Sequence, residues 1–204
     1  MNTNLIKKGY NQIARAYQNE RDLLKSGKYL QKFLHLIKPQ SYILDLGCGS
    51  GDPIDTELIK QGHLVVGLDI SPVQIGLAKK NCPTGSFIVR DIQTLKPNEF
   101  EADCVVSFYT FFHIAREKHL ELLKTVNTFL PICGLFLLTM GDTDFEGFHE
   151  LYGTKMWSSQ YGPQKNAQML IEAGFEILID TIDTSGREKH QILLCKKIKN
   201  LVPS

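Results

Sequence analysis

The sequence predicts an α/β fold: a doubly wound, mostly parallel seven-stranded sheet with an antiparallel final strand, helices on both faces and an N-terminal helical cap. Short apolar runs alternate with longer amphipathic stretches, which is typical of strands joined by right-handed helical crossovers. Only a short turn, 183–189, separates the last two runs, so these two are expected to pair antiparallel. The seven runs are Tyr42–Leu46, Leu64–Leu68, Ser86–Val89, Cys104–Phe108, Leu135–Met140, Phe175–Ile182 and Gln191–Cys195.

Apolar residues at three- and four-residue spacings predict the helices. Two of them, 4–19 and 23–37, precede the first strand, and Pro53–Gln61, Pro72–Asn81 and Arg116–Leu130 lie between strands. Asp52-Pro53 and Ser71-Pro72 each place a capping side chain before a proline, so both are expected to start helices. These starts follow strands, at the sheet edge where open α/β proteins bind ligands.

Charge and composition exclude several classes of protein. The 204 residues carry 23 Lys and Arg against 22 Asp and Glu, a net charge of +1, whereas a nucleic-acid-binding domain is usually strongly basic. Residues 1–40 hold eight basic and two acidic residues. This segment is either a solvated helical face or a cover for an anionic substrate.

The five cysteines are odd in number and have no CxxC spacing, which predicts reduced thiols and no metal centre. The N-terminus has no signal-peptide pattern, and the longest apolar stretch, 132–140, is about half the length of a membrane span. We therefore expect a cytoplasmic protein with no membrane or nucleic-acid partner.

A glycine-rich loop between the first strand and the next helix carries the main functional signal. The strand ends in Asp45, and Gly47, Gly49 and Gly51 follow at alternate positions. Glycines let a ligand lie against bare backbone, and the helix start offers free N–H groups. The loop lacks the Lys-Ser/Thr of a P-loop and the third glycine of a dinucleotide fingerprint.

This segment resembles motif I of the class I S-adenosylmethionine-dependent methyltransferases. The resemblance extends to Val66–Ser71, Val89–Ile92 and Ala102–Phe108, each at the end of a predicted strand. It implies S-adenosylmethionine as cofactor and S-adenosylhomocysteine as product. One departure is Pro131–Gly134, where the family usually has a Pro-Gly-Gly turn.

The resemblance also implies which residues bind the cofactor. Asp69 would accept the ribose hydroxyls, Asp91 would lie near the adenine, and Asp45 would order the loop. Alternatively, Asp69 and Asp91 only cap helices. The full set of expected cofactor residues is Asp45, Gly47, Cys48, Gly49, Ser50, Gly51, Asp69, Ile70, Asp91, Ile92, Ser107 and Tyr17.

The acceptor side is less constrained. His113 and Tyr109, after the fourth strand, are the candidate catalytic residues, and the alternative for His113 is a structural histidine held by backbone groups. The aromatic segment 141–162 is a candidate substrate lid or a satellite cluster over the sheet, and His149, Trp157 and Tyr161 are its expected pocket residues.

The whole chain is expected to form one methyltransferase domain. Its parts would be a helical cap (1–39), a cofactor-binding core (40–140), the lid (141–162) and a C-terminal helix and strand pair (163–204). We expect a small-molecule acceptor and a monomer or weak homodimer. A protein methyltransferase and a non-catalytic cofactor-binding module remain as alternatives.

Overall fold

A computed structural model describes residues 3–20, 27–185 and 189–201, without the side chains of 17–20. The helices in these ranges are α1 (Thr3–Glu20), α2 (Gly27–Leu34), α3 (Ile54–Lys60), α4 (Pro72–Asn81), α5 (His119–Phe129) and α6 (Pro163–Glu172). The strands are β1 (Tyr42–Leu46), β2 (Leu64–Asp69), β3 (Ser86–Val89), β4 (Cys104–Ser107), β5 (Leu135–Met140), β6 (Phe145–Leu151), β7 (Thr154–Gln160), β8 (Phe175–Asp183) and β9 (His190–Lys197). None of the described helices is long and apolar enough to cross a bilayer.

Seven strands form one sheet in the order β3-β2-β1-β4-β5-β9-β8. The pairs among β1 to β5 are parallel, whereas β9 runs antiparallel to both β5 and β8. The predicted doubly wound sheet with an antiparallel final strand is therefore confirmed. The order reverses between β1 and β4, so ligands are expected at the carboxyl ends of these two strands.

Successive side chains of each strand point to opposite faces of the sheet, so the core has two parts, one on each face. Ile43 and its neighbours on one face pack with α2 and α3, including Phe33 and Leu58. Leu44 and the residues that share its face pack with α5 and α6, including Leu123. Both faces of the central strands are buried, which explains why their sequences are continuous apolar runs.

Two elements outside the large sheet cover its carboxyl edge. Helix α1 lies between α4 and strand β7. Ser71 Oγ donates a hydrogen bond of 2.7 Å to Asn11 Oδ1 of α1. On the other side, Gly9 packs so closely on β7 that a Cβ there would displace the end of the Met156 side chain.

The segment 141–162 was expected to be a continuous connection, but it contains an antiparallel hairpin of β6 and β7. The hairpin turns at Tyr152 and Gly153, which both have positive φ angles, as a two-residue hairpin turn requires. The apolar residues of β6 recur every third position rather than every second, which hid the strand from periodicity.

The two proline-marked helix starts differ. Ser71 caps α4 as predicted, because its hydroxyl accepts a 3.1 Å hydrogen bond from the Gln74 N–H. The Asp52 cap is wrong: α3 begins at Ile54, and Pro53 itself occupies the N-cap position without a side-chain cap. Here the chain turns through the Asp52–Pro53 peptide, which is cis.

The unusual turn before β5 keeps the conformation that a glycine would favour. Cys133 has a φ of 69° in the left-handed region, and its N–H donates to the Lys197 carbonyl at 2.9 Å. This backbone bond holds a non-glycine residue in a conformation that costs about 1–2 kcal/mol.

Candidate active site

The glycine-rich loop between β1 and α3 is fixed by its own backbone. The N–H groups of Gly47 and Cys48 donate to the Leu68 carbonyl at 2.7 and 3.0 Å, which ties the loop to the end of β2. Gly47 has a φ of 85°, and a Cβ there would overlap the Thr110 side chain. The backbone of this loop is therefore packed directly against the segment that follows β4.

A cavity of about 680 Å³, including its opening, lies over this loop and is called the loop cavity below. Its walls come from the ends of β1, β2, β3 and β4, and α1 covers it through Thr3, Ile6 and Tyr10.

Asp69, at the end of β2, points its carboxylate into the loop cavity. Its Oδ2 accepts from the Gly49 N–H at 3.0 Å and its Oδ1 accepts from the Ser71 N–H at 2.8 Å. Burial raises the pKa of Asp69 to about 6, and these two N–H bonds oppose the rise. Each carboxylate oxygen keeps capacity for a further hydrogen bond from a ligand.

Gln74 supplies a second polar group to the loop cavity. Its side chain is 1% exposed, and its Oε1 has no hydrogen-bond partner among the described residues. A buried acceptor without a partner is costly, typically about 1–3 kcal/mol, unless a ligand or water satisfies it.

Half of the expected cofactor residues line the loop cavity: Gly47, Gly49, Asp69, Ile70, Asp91 and Ile92. Asp91 does two things, because its Oδ1 also accepts from the Gln93 N–H and so caps the short 3₁₀ turn Ile92–Thr94. The capping role is therefore seen in the structure, whereas the contact with the adenine stays a prediction.

The other expected cofactor residues whose side chains the structure describes do not line the cavity. Ser107 is fully buried and donates to the Leu46 carbonyl at 2.8 Å, linking β4 to β1. Cys48 packs in a small cluster with α4, and Ser50 holds the loop by accepting from Asn81 Nδ2 at its carbonyl. Gly51 turns the chain toward α3 with a φ of 74°, and the Tyr17 side chain lies outside the described residues.

A pair of buried carboxyl groups lies beneath the loop. Asp45 is 2% exposed and Asp55 of α3 is fully buried. Burial, and then the charge and hydrogen bond of Asp45, raise the pKa of Asp55 well above its usual range. Burial and the same carboxylates also raise the pKa of the Cys48 thiol, which keeps it neutral. Asp45 thus has a proton-bearing neighbour and supports the loop from below.

A second space, of about 1100 Å³, opens under the β6–β7 hairpin and is called the hairpin cleft below. Phe112, Phe145, His149 and His190 contribute most of its rings. Three side chains line both the loop cavity and the hairpin cleft, and together they are called the shared wall: Tyr10, Tyr109 and His113.

Both ring nitrogens of His113 are held. Nδ1 lies 2.9 Å from the Trp157 carbonyl, which can only accept, so Nδ1 carries the proton and donates it. Nε2 then accepts from the Tyr10 hydroxyl at 2.7 Å. Burial lowers the pKa of His113 to about 4, and the bond to the Trp157 carbonyl opposes this shift. The imidazole is therefore neutral near pH 7.

Tyr109 enters the shared wall through a strained backbone. Its φ is 57°, in the left-handed region, and its N–H donates to Thr139 Oγ1 of β5. Such strain in a non-glycine residue costs about 1–3 kcal/mol and is often found at functional sites. The conformation places the ring 4.9 Å from that of His190.

The three expected pocket residues of the lid have different positions. His149 lines the hairpin cleft and stacks on His113, with ring centroids 6.4 Å apart. Trp157 reaches the site only through its carbonyl, because its ring packs against Phe148. Tyr161 packs on the core beside His119 and lines neither space.

Gln74 and Thr110 line the loop cavity although the sequence did not predict them as site residues. Gln74 sits in the first turn of the capped α4, and Thr110 follows Tyr109, so proximity to a strand end could have suggested both. The described basic side chains of residues 1–40 line neither space, which favours the solvated-face interpretation. Among the described residues no cluster of His, Cys, Asp or Glu could hold a metal ion.

Comparisons with known proteins agree with this architecture. A family model described as "Methyltransferase domain" matches residues 43–132. Trans-aconitate 2-methyltransferase from Escherichia coli O1:K1 is 28% identical over 150 residues, which are 72% of this chain and 56% of that protein. The chain thus spans little more than half the length of the curated relatives that it matches.

Solved structures share the fold at low sequence identity. Magnesium protoporphyrin IX methyltransferase from Synechocystis PCC 6803, crystallised with S-adenosylhomocysteine, has a TM-score of 0.74 and 16% identity, covering 95% of this chain and 98% of that one. A 1,6-didemethyltoxoflavin-N1-methyltransferase from Burkholderia thailandensis has a TM-score of 0.72 and 16% identity, covering 94% and 85%. The family match thus gives residues 43–132 the character of a methyltransferase domain, and the solved structures show that the chain shares the fold of these methyltransferases.

Proposed function

We propose that this protein transfers a methyl group from S-adenosylmethionine to a small-molecule acceptor. One observation carries the proposal: the loop cavity and the hairpin cleft meet at the shared wall of Tyr10, Tyr109 and His113. Two ligands that react by direct displacement need adjoining sites, and this arrangement provides them. We further propose a cytoplasmic monomer or weak homodimer, which is consistent with five free cysteines, four of them buried.

The loop cavity fits the cofactor chemically. The Asp69 carboxylate suits the two ribose hydroxyls, and the unpaired Gln74 Oε1 suits a hydrogen-bond donor such as the ammonium of the methionine part. Asp91 and Ile92 line the cavity at the end of β3, beside the expected place of the adenine. S-adenosylmethionine supplies a methyl group on a sulfonium, which is already a good leaving group.

The protein's main task is then alignment and exclusion of water. Positioning two reactants in a reactive geometry can contribute up to about 7–11 kcal/mol in ideal cases. Helix α1 and the hairpin cover the junction, while the Tyr109 backbone bond to Thr139 fixes part of the shared wall. A neutral His113 leaves no positive charge in the wall to repel a sulfonium.

The hairpin cleft supports a small acceptor rather than a macromolecule. Without the open space at its mouth the cleft has a volume of about 460 Å³, within the range of small-molecule sites, and α1 and the hairpin both border it. Relatives and structural neighbours are named for aconitate, protoporphyrin and toxoflavin substrates, which are all small molecules.

Calorimetric titration with S-adenosylmethionine and S-adenosylhomocysteine tests cofactor binding. We expect binding by the wild type, at least a tenfold loss of affinity in Asp69→Ala, and no loss in Glu172→Ala, an exposed carboxylate on α6. Absence of binding at millimolar concentration would contradict the proposal.

Methyl transfer itself is tested by incubating the protein and a labelled methyl donor with a cell extract. We expect the label in the metabolite fraction below about 1 kDa. Label found only in protein would instead favour a protein methyltransferase, and binding without any transfer would favour a non-catalytic module.

A further inference from the structure

The three side chains of the shared wall are poorly suited to take a proton from an acceptor. Both ring nitrogens of His113 are occupied, Nδ1 by the Trp157 carbonyl and Nε2 by the Tyr10 hydroxyl, and burial lowers its pKa to about 4. Tyr10 and Tyr109 carry phenol hydroxyls, which are acids rather than bases near neutral pH. Because the methyl group crosses between the two spaces at this wall, an acceptor that reacts here needs an electron pair that is already free.

The hairpin cleft carries more negative than positive charge. Its described lining residues include the carboxylates of Asp142 and Glu150 and one cation, Lys189. Neither carboxylate forms an ion pair with a described residue, whereas the two neighbouring acids, Asp144 and Glu146, both do. Two uncompensated carboxylates repel an anionic acceptor and attract positive charge.

The rings of the hairpin cleft suit a planar acceptor that becomes positively charged. Phe112 and His190 lie with ring centroids 5.5 Å apart at a tilt of 34°, and Tyr109 meets His190 edge to face at 4.9 Å. Aromatic faces and edges pack against other planar rings in such geometries. The faces of phenylalanine and tyrosine rings also attract a cation.

We propose, building on the proposed function, that the acceptor is an uncharged planar heterocycle, methylated at a ring nitrogen that carries a lone pair and no proton. This lone pair forms the bond to the methyl carbon as the carbon–sulfur bond breaks, and the electron pair of that bond remains on sulfur. No proton is transferred, so the positive charge moves from the sulfonium in the loop cavity to the ring nitrogen in the hairpin cleft. The acceptor is neutral while the sulfonium is present, and its charge develops beside Asp142, Glu150 and the aromatic faces.

Acceptors with similar ring systems test the substrate class. Isoquinoline and quinoline offer a nitrogen lone pair, 2-naphthol offers a hydroxyl that must lose a proton, and 2-naphthoate offers an anionic carboxylate. With S-adenosylmethionine at pH 8, where both heterocycles are uncharged, we expect at least one of them to yield S-adenosylhomocysteine at least tenfold faster than the other two compounds. Faster reaction of 2-naphthol would indicate a base in the cleft, such as His149, and would overturn the proposal. Faster reaction of 2-naphthoate or trans-aconitate would overturn it as well.

Failure of this inference is distinguishable from failure of the proposed function. If calorimetry shows that the cofactor binds but neither heterocycle reacts, the acceptor class is wrong while the cofactor assignment stands. If the cofactor does not bind, both fall.

Neutralising the two cleft carboxylates tests where the positive charge is stabilised. We expect the double variant Asp142→Asn/Glu150→Gln to lower kcat for isoquinoline about fivefold or more, with little change in the Kd of S-adenosylhomocysteine. The matched control Asp144→Asn/Glu146→Gln removes the same charge from the same segment, but these carboxylates pair with Arg116 and do not line the cleft. Its kcat should stay within about twofold of the wild type, and equal losses in both double variants would overturn the proposal.

Binding to the complex with S-adenosylhomocysteine gives a readout that does not depend on turnover. The probes are isoquinoline and its methylated product, the 2-methylisoquinolinium cation. We expect calorimetry to show that the wild type binds the cation at least fivefold more tightly than isoquinoline. Asp142→Asn/Glu150→Gln should lose this preference, whereas Asp144→Asn/Glu146→Gln should keep it. Equal affinities of the wild type for the two probes would overturn the proposal.

Discussion

Asp69 is expected to make cofactor binding depend on pH. In the free protein, burial raises its pKa from an ordinary 3.8 to about 6. Only the ionised carboxylate can accept hydrogen bonds from both ribose hydroxyls while also accepting from the N–H groups of Gly49 and Ser71. Cofactor binding therefore requires loss of a proton below about pH 6.

The same carboxyl group links pH to stability, with a definite sign. Its pKa is higher in the folded than in the unfolded protein, so its stabilising contribution is complete below pH 3.8 and is lost as pH rises through about 6. The difference between 3.8 and about 6 corresponds to about 3 kcal/mol. Because the carboxylate opens onto the loop cavity, we expect about half of this amount.

The assays are calorimetric binding of S-adenosylhomocysteine and urea unfolding, both from pH 5 to 8. For the wild type we expect the Kd to rise toward tenfold for each pH unit below 6 and to be constant above 7. In Asp69→Asn the affinity should be at least tenfold weaker at pH 7.5 and should lose this pH dependence. Relative to the wild type, the variant should gain about 0.7 kcal/mol in unfolding free energy between pH 5 and 7.5, because about half of the halved effect already lies below pH 5.

Two results would refute this reasoning about Asp69. One is a wild-type Kd that stays constant between pH 5 and 8. The other is the same slope in Asp69→Asn, which would assign the titration to another group. His113 does not confuse the measurement, since its pKa of about 4 lies below the range.

Three further substitutions probe the loop and the core. Gly47→Ala should weaken S-adenosylhomocysteine binding at least tenfold by calorimetry, because its Cβ would overlap Thr110; Gly76→Ala, with nothing within 4 Å, should bind normally. Lys197→Met should lower the unfolding free energy in urea by about 2–4 kcal/mol, because Nζ donates to two buried carbonyls at the end of α5, and unchanged stability would contradict this. The Tm of Asp55→Asn relative to that of the wild type should be higher at pH 9 than at pH 6, because only the wild type has a buried carboxyl group that must ionise as pH rises. If the Tm values of the two proteins change in parallel with pH, Asp55 is not held protonated.

The strands of the large sheet could be predicted because their burial is encoded locally. β1 and β5 coincide with the apolar runs Tyr42–Leu46 and Leu135–Met140. Central strands that are buried on both faces need a continuous apolar sequence. Such a run can be recognised in the sequence without knowing which strands lie beside it. The hairpin was missed because it faces a cleft on one side, so its β6 strand is mostly exposed and only weakly patterned.

The residues of the candidate site also fall into two groups, those that the sequence could predict and those that it could not. Asp69, Asp91 and the loop glycines each follow a strand. Because the carboxyl ends of parallel strands lie at one edge of the sheet, the topology alone brings these residues together. Tyr10 and His149 reach that edge only through tertiary packing of α1 and the hairpin. Sequence spacing carries no signal for such contacts, which join residues more than a hundred positions apart, as Tyr10 and His113 do.

The loop cavity and the hairpin cleft are built from different parts of the chain. The matched family model ends at residue 132 and starts at 43, so it contains the loop, Asp69 and His113 but neither α1 nor the hairpin. The loop cavity is built mainly from the matched part, whereas the hairpin cleft takes much of its lining from outside it. Tyr10 and the Trp157 carbonyl, which orient His113 from both sides, also lie outside it. A likeness to trans-aconitate methyltransferases in the shared part therefore argues for the cofactor, and we propose that α1 and the hairpin decide the acceptor.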